Sequence, residues 1–336
     1  MNKLKVGTLQ LNTNVMLSPM AGITDFVLRS LIRDYSPTCL LTTEMISSEA
    51  LINETKCKKR DLLAENDLIK RAQNHSPISY QLTGHKPELM AKAAQILEDR
   101  ADIIDVNMGC PVKKVVGGND GCALMKTPEL AQDIVRAIKE AVKCPVTVKF
   151  RLGYTLDEMN YVDFGQQMQQ AGADMITIHA RTRKQMYSGI ADWAKIADLK
   201  KSVDIPVVAN GDIKTVEDAI RCLEISNADG VAIGRAAMGD VGLIGRIEHY
   251  LNTGNILPAL SLEENLEILK TLLKREIELR GEDIGVKFSR KFYPFYIAGI
   301  RNAAKLRADI VTEDDYNKIL NRLDDVICGR THSLIS

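Results

Sequence analysis

The sequence predicts a (β/α)8 TIM barrel followed by a small C-terminal helical bundle. Three observations lead there. From residue 15 onward a short run of Val, Ile and Leu is followed by a polar or glycine break and then by an amphipathic helix, and eight such runs can be counted. Polar side chains gather at the carboxyl ends of these runs, although parallel strands covered on both faces should be apolar throughout. After about residue 255 the alternation stops and only helical periodicity remains. Eight strand–helix units in this length favour a closed barrel over a doubly wound open sheet. No G-x-G-x-x-G follows an early strand, which removes the main reason to choose a dinucleotide-binding sheet. The expected division is a barrel over 1–255 and a helical domain over 256–336.

The predicted strands are Val15–Pro19, Leu40–Glu44, Ile78–Leu82, Ile103–Asn107, Val146–Phe150, Met175–His179, Pro206–Asn210 and Gly230–Ile233. Thr24–Arg33 and Pro87–Glu98 carry apolar residues at helical spacing. Pro128–Val142 has Thr127 as N-cap, proline at the first helical position and Glu129 in the first turn. Asp192–Lys201 and Thr215–Leu223 follow, the latter with a Thr-x-x-Asp pattern that resembles a capping box.

Beyond the barrel, Ser261–Arg280 reads as one helix. It has a Ser261/Glu264 capping box, an apolar face of Leu262, Leu266, Leu269, Leu273 and Ile277, and Gly281 as terminator. A second helical region runs from Val286 to Arg307, kinked or split at Pro294. A third starts at Thr312 with Tyr316, Ile319, Leu320, Leu323 and Ile327 on one face. Short connections make these an antiparallel bundle docked on the barrel.

Lys plus Arg equals Asp plus Glu at 44 each, so any nucleic-acid surface must be local. Such a place exists. Between Val286 and Ala308 stand Lys287, Arg290, Lys291, Arg301, Lys305 and Arg307 with no acidic residue, interleaved with Phe288, Phe292, Tyr293, Phe295 and Tyr296. No apolar run approaches the ~18 residues of a membrane span, and the amino terminus lacks a signal-peptide core. Seven cysteines (39, 57, 110, 122, 144, 222, 328) without a C-x-x-C fit reduced thiols in a cytoplasm. The histidines (75, 85, 179, 249, 332) show no metal-ligand spacing, so no metal is expected.

The chemistry centres on Ile103–Lys114, IIDVNMGCPVKK. A buried strand breaks at Asn107, Gly109, Cys110 and Pro111, so a thiol is held on a rigid turn at a strand's carboxyl end, where barrels bind ligands. Lys113 and Lys114 beside it point to an anionic substrate. The plain reading of Cys110 is a small buried hydrophobe. A nucleophile would need a lowered pKa. A thiol near its ordinary pKa of about 8.5 stays protonated and suits proton donation, the simpler role.

Asn210-Gly211-Asp212 and Gly234-Arg235 follow strands seven and eight, where barrels bind phosphate, with a helix expected from Asp240. Otherwise these glycines are tight turns. Lys149 is a snorkelling strand-end lysine, a Schiff-base lysine or a fixed charge for an anionic ring. His179 is a core histidine or, with Gln81 and Lys149, part of a flavin mononucleotide pocket.

Taken together these residues resemble the bacterial, FMN-dependent tRNA-dihydrouridine synthase family. The resemblance covers almost the whole chain. It rests on PMAGITD (Pro19–Asp25), DVNMGCPVKKV (Asp105–Val115), VKFRLG (Val148–Gly153), TIHARTR (Thr177–Arg183), ANGDI (Ala209–Ile213), AIGRAAMG (Ala232–Gly239) and SRKFYPFY (Ser289–Tyr296). It implies that Pro19, Met20, Ala21, Gln81, Lys149, His179, Asn210, Gly211, Asp212, Gly234 and Arg235 hold FMN, with NADPH as reductant. It further implies that hydride passes from flavin N5 to uridine C6 while Cys110 protonates C5. The uridine must be flipped out of tRNA, with Asn107, Lys113, Lys114, Arg181, Arg183, Arg290 and Lys291 facing the RNA.

Phe292 stands where family members often have histidine, and the glycine-rich Val116–Gly121 segment reads as a lid. Two other functions are weighed. One is an FMN barrel acting on a free pyrimidine, like dihydroorotate dehydrogenase, against which the basic helical region argues. The other is a catalytically silent RNA-binding barrel, against which intact Cys110, Lys149 and His179 argue.

Overall fold

The computed structural model describes residues 3–54, 76–298 and 303–328. Cys57, His75, Arg301 and His332 lie outside these residues. The chain opens with a short antiparallel hairpin, β1 (Lys5–Val6) and β2 (Leu9–Gln10), which periodicity did not announce because each strand is two residues long. The predicted strands then follow as β3 (Val15–Leu17), β4 (Leu41–Ser47), β5 (Ile78–Thr83), β6 (Ile103–Met108), β7 (Val146–Arg151), β8 (Met175–His179), β9 (Val207–Asn210) and β10 (Gly230–Ile233). All pairings among them are parallel, in the order β3-β10-β9-β8-β7-β6-β5-β4. The Leu17 N–H donates to the Leu40 carbonyl at 2.9 Å and closes the ring. β4 runs past the expected Glu44 to Ser47, with a register irregularity between Thr42 and Met45.

Strand geometry sends alternate side chains to opposite faces, and here the two faces differ in kind. Outward residues such as Ile104, Val106, Val146, Val148, Phe150, Ile176 and Ile178 join the main apolar core beneath the helices. Inward residues at the amino-terminal end, Met16, Leu40, Ile103, Met175, Val208 and Ala232, form a second cluster capped by Leu4, Val6 and Leu11. The hairpin is thus the floor of the barrel.

Asp25 caps the helix Phe26–Tyr35 by accepting from the Leu28 N–H at 3.0 Å, and Thr215 caps Val216–Ser226 through the Asp218 N–H at 3.1 Å. Thr127 stands before Pro128–Ala141, but its hydroxyl makes no capping bond. A helix not singled out in the sequence, Tyr161–Gln170, follows β7. After the barrel, Leu262–Arg280 begins with the expected reciprocal Ser261/Glu264 box. Leu266, Leu269 and Leu273 are buried, while Leu262 is exposed.

The second helical region is broken into Glu282–Ser289, Tyr293–Tyr296 and Ala303–Val311, with Pro294 opening the middle piece. The third helix, Tyr316–Ile327, is capped by Asp315. Leu262–Arg280 packs on Phe26–Tyr35, with Arg275 bonded to Asp34 at 2.8 Å and Arg280 to Asp25 at 3.0 Å. Among the described residues no helix is long and apolar enough to cross a membrane.

Candidate functional site

The strands end, on the carboxyl side, at a cavity of about 620 Å³. Pro19, Met20, Ala21, Asn107, Cys110, Lys149, His179, Asn210, Gly211, Asp212, Gly234 and Arg235 all line it. Residues distant in sequence converge because parallel strands deliver their carboxyl ends to one rim. The structure adds Arg151, Tyr187, Lys214 and Phe295 to the lining, none of which the sequence reading placed there. Arg151 had a readable signal: it follows Lys149 by two residues on one strand and therefore shares its face. Tyr187 sits in an irregular loop and gave none.

Cys110 is held by backbone contacts. Its N–H donates to Asn107 Oδ1 at 2.9 Å, and its carbonyl accepts from the Cys122 N–H at 3.1 Å. Gly121, at φ 59, allows this approach, since a Cβ there would come within 2.8 Å of the Cys110 carbonyl oxygen. Burial pushes the Cys110 thiol pKa up, against the opposing effects of a Val112 backbone hydrogen bond and the Arg151 and Lys149 charges. The thiol is therefore protonated at neutral pH.

Lys149 Nζ donates to Asn210 Oδ1 at 3.2 Å, and Asn210 Nδ2 donates to the Ala232 carbonyl at 2.8 Å. Desolvation, followed by the Arg151 charge, lowers the Lys149 pKa to about 8. His179 is buried among Arg151, Lys149, Arg181 and Arg235, and burial plus these charges hold its pKa well below 6.5, so the ring is neutral. Burial works against the Asp212 charge, but Arg181, the Ala191 N–H and Arg235 together keep its pKa below the ordinary value. The cavity wall is consequently rich in positive charge, with its carboxylate already paired. Arg235 also lies over the Tyr187 ring, 4.7 Å from its centroid.

Several expected residues stand elsewhere. Gln81 is fully buried and does not line the cavity; it bonds to Asp105 at 2.6 Å and Asn107 at 2.7 Å. Arg181, expected to face RNA, is buried at 1% exposure. Its guanidinium donates to the Ser188 and Gly189 carbonyls at 3.0 and 2.7 Å and to Asp212 at 2.5 Å. It braces the loop that follows β8.

Arg183 packs over the Tyr154 ring at 5.1 Å. Arg290 is engaged by Asp314 at 2.6 Å and the Glu313 carbonyl at 3.1 Å. Lys291 donates to the Gly22 carbonyl and lies 3.0 Å from the Phe288 ring centroid. Lys113 and Lys114 are exposed beside the mouth. Phe292 is buried. The Val116–Gly121 segment is tied by Asp120 to His85 at 2.8 Å. The helix expected from Asp240 starts at Leu243, and a short 3-10 turn, Arg235–Met238, follows β10 directly.

Residues 16–329 match the family model described as dihydrouridine synthase. The chain is 40% identical to a probable tRNA-dihydrouridine synthase of Rickettsia conorii, over 93% of this chain and 92% of that one. It is 38% identical to tRNA-dihydrouridine synthase B of Pseudomonas syringae pv. tomato, over 97% of this chain and 91% of the relative. Among solved structures, an old yellow enzyme homologue from Zymomonas mobilis aligns with a TM-score of 0.53 at 12% identity, covering 79% of this chain and 95% of that one. That likeness concerns the barrel fold.

Proposed function

The chain belongs to the dihydrouridine synthase family, and on that premise we propose how its residues reduce the C5–C6 bond of uridine in tRNA. The cavity holds FMN, NADPH is the reductant, and Cys110 is the proton donor. The observation that carries this reading is the convergence of Cys110, Lys149, His179 and Arg235 on one cavity wall from four different strands or strand ends.

The residues fit a phosphate-tethered ring. A Cβ at Gly234 would come into ordinary contact with Met20, Ser18 and Asn210 at 3.9–4.0 Å. The Gly234 backbone, that of Gly211 and the Arg235 guanidinium suit a phosphate, and the Lys149 ammonium and neutral His179 suit the polar edge of the ring. A flavin bound there supplies hydride for C6 of the base; the rest falls to the protein.

Lys149 keeps a positive charge in the cavity at neutral pH, stabilising negative charge beside it. Cys110, protonated because it is buried, delivers its proton to C5. Protein carbonyl and N–H groups fix the thiol's turn, so little reorganisation is needed at the moment of transfer. The 1–255 unit does this chemistry, while the helical 256–336 unit presents tRNA to it. Lys287 and Lys305 in that unit and Lys113 and Lys114 at the mouth are exposed and available to phosphates. The neighbouring Arg290 and Lys291 serve to hold the bundle and the mouth loop together.

Replacing Cys110→Ala tests the assignment. Flavin content and its reduction by NADPH stay at wild-type level, while dihydrouridine formation falls by about 100-fold or more. Product formation at the wild-type rate would remove Cys110 from the acid role.

A further inference from the structure

Among the described residues, the barrel supplies every cavity-lining side chain but one, Phe295 of the helical unit. It stands in the turn Tyr293–Tyr296, which Pro294 opens, and its N–H donates to the Phe292 carbonyl at 3.0 Å. Residues three and four apart share a helix face. Here Phe292, Tyr293, Tyr296 and Ile297 take the face turned to the core, none more than 2% exposed. Phe295 falls off that face and is 43% exposed.

The barrel is shaped to receive this turn. Gly239 follows the 3-10 turn Arg235–Met238, and a Cβ on it would come within 2.7 Å of the Phe295 Cβ and 3.1 Å of the Phe295 carbonyl oxygen. Only glycine there lets the two turns seat together. Phe295 is thereby fixed beside Arg235, Ala236 and Met238, which line the same wall. The Phe288 ring, in the preceding helix, is covered by Arg280 and Lys291. The Phe295 ring has no such cover among the described residues.

Its place in the ring of strands decides what it can meet. β10 and β6 stand four strands apart in the closed ring of eight, counted either way. Phe295, beside the end of β10, is therefore across the mouth from Cys110, which follows β6. A uridine presented to the thiol leaves Phe295 to the next nucleotide in the strand. Flipping a base out of folded RNA strips its neighbour of a stacking partner, and an aromatic ring accepts the face of any base. Lys214, exposed on the same rim, supplies charge for the intervening phosphate.

We propose that Phe295 is a stacking platform for the nucleobase next to the target uridine, a subsite that the helical unit adds to the barrel's cavity. The inference rests on the reading of this chain as an enzyme acting on uridine in tRNA.

The test uses flavin-loaded enzyme and follows flavin reduction by NADPH separately from reoxidation by unmodified tRNA. Phe295→Leu keeps an apolar side chain against Gly239 but removes the π face. The tRNA concentration for half-maximal reoxidation rises about tenfold, the scale of one lost base–aromatic stack, and Phe295→Trp returns it to within about twofold of wild type. Flavin content, the rate of reduction and KM for NADPH stay within about twofold in both variants, since only RNA binding is affected. A transcript abasic on one side of the target uridine costs wild type about tenfold and costs Phe295→Leu nothing further, because both changes remove one contact.

If Phe295→Leu folds poorly, the indole emission of Phe295→Trp decides, read above the signal of Trp193 in wild type. Stacking quenches it with intact tRNA and spares it with the abasic transcript; equal quenching by both would overturn the proposal. So would a leucine variant equal to wild type, or losses that add whichever neighbour of the uridine is abasic. Lost flavin, or a raised KM for NADPH with tRNA dependence unchanged, would overturn it in favour of a contact with a cofactor. A wild-type enzyme that tRNA does not reoxidise would instead sink the functional reading itself.

Discussion

At the floor of the barrel, Leu4, Val6 and Leu11 from the hairpin meet Met16, Leu40, Ile103, Met175, Val208 and Ala232 from the strands. At the mouth, the same strands present Asn107, Lys149, His179, Asn210 and Gly234 to the cavity. Between them lies a polar middle storey, Ser18, Thr42, Ser79, Asp105, Thr147 and Thr177, which borders a small internal space beneath Lys149. One set of strands thus carries an apolar seal at one end and a charged, partly desolvated site at the other. Floor residues gain by leaving water. Mouth residues are desolvated at a cost that only a bound anion offsets. The comparison predicts that damage at the floor is read as stability, whereas removing charge at the mouth raises stability and destroys activity.

The largest effect on stability belongs to the floor. Leu11 is 1% exposed, and Leu11→Ala should lower the free energy of unfolding by about 3 kcal/mol, through lost transfer energy and a residual cavity. Turnover by the protein that remains folded should be unchanged. A denaturation midpoint equal to wild type, or a fall in turnover with the midpoint intact, would break the contrast between the two ends.

The mouth should respond in the opposite sense. The folded-state pKa of Lys149 is about 8, below its ordinary 10.5. The unfolded chain therefore binds more protons between those values, and stability rises with pH across that window. Below about pH 8 the buried charge works against folding. Lys149→Met should accordingly stabilise the flavin-free protein at pH 7, by on the order of 2 kcal/mol once solvent reaching the open cavity is allowed for. It should also erase the rise in stability between pH 8 and 10.5 and abolish turnover. A destabilised Lys149→Met would show that the lysine serves packing rather than the site.

Much of this contrast was readable from the sequence, and the unread parts have physical causes. Apolar runs placed eight strands because outward residues such as Val106, Val148 and Ile178 must be apolar beneath helices. The polar ends of the runs identified the mouth. The alternation that would have added Asp105 and Arg151 was present, at two residues from Asn107 and Lys149, but the runs were read as uniformly apolar. Gln81, Arg181 and Lys291 were assigned to ligands because a polar residue at a rim looks available. Their partners, Asp105, Asp212 and the Gly22 carbonyl, lie 24, 31 and 269 residues away in sequence, where no local pattern shows them. The hairpin floor escaped because a two-residue strand has no period to detect.

The seam between the barrel and the helical bundle carries the prediction with the sharpest sign. Arg280 on Leu262–Arg280 bonds to both Glu276, at 2.8 Å, and Asp25, at 3.0 Å, and both carboxyl side chains are wholly buried. One guanidinium cannot neutralise two carboxylates out of water. Burial, then the neighbouring Asp25 charge, push the Glu276 carboxyl up to about 8, so a proton resides there at neutral pH. Lys291 of the bundle also acts on the pair, and it in turn feels Glu44 of β4. Because the folded state keeps a proton that the unfolded chain releases above about 4.5, stability falls as pH rises from that value toward 8. Glu276→Gln supplies the hydrogen-bond donor permanently. It should leave stability near pH 5 almost unchanged and remove the fall toward pH 8, a difference from wild type that grows by up to about 1.4 kcal/mol per pH unit across that window. Parallel pH–stability curves for the two proteins would mean that Glu276 is ionised throughout and that the seam is held by the arginine alone.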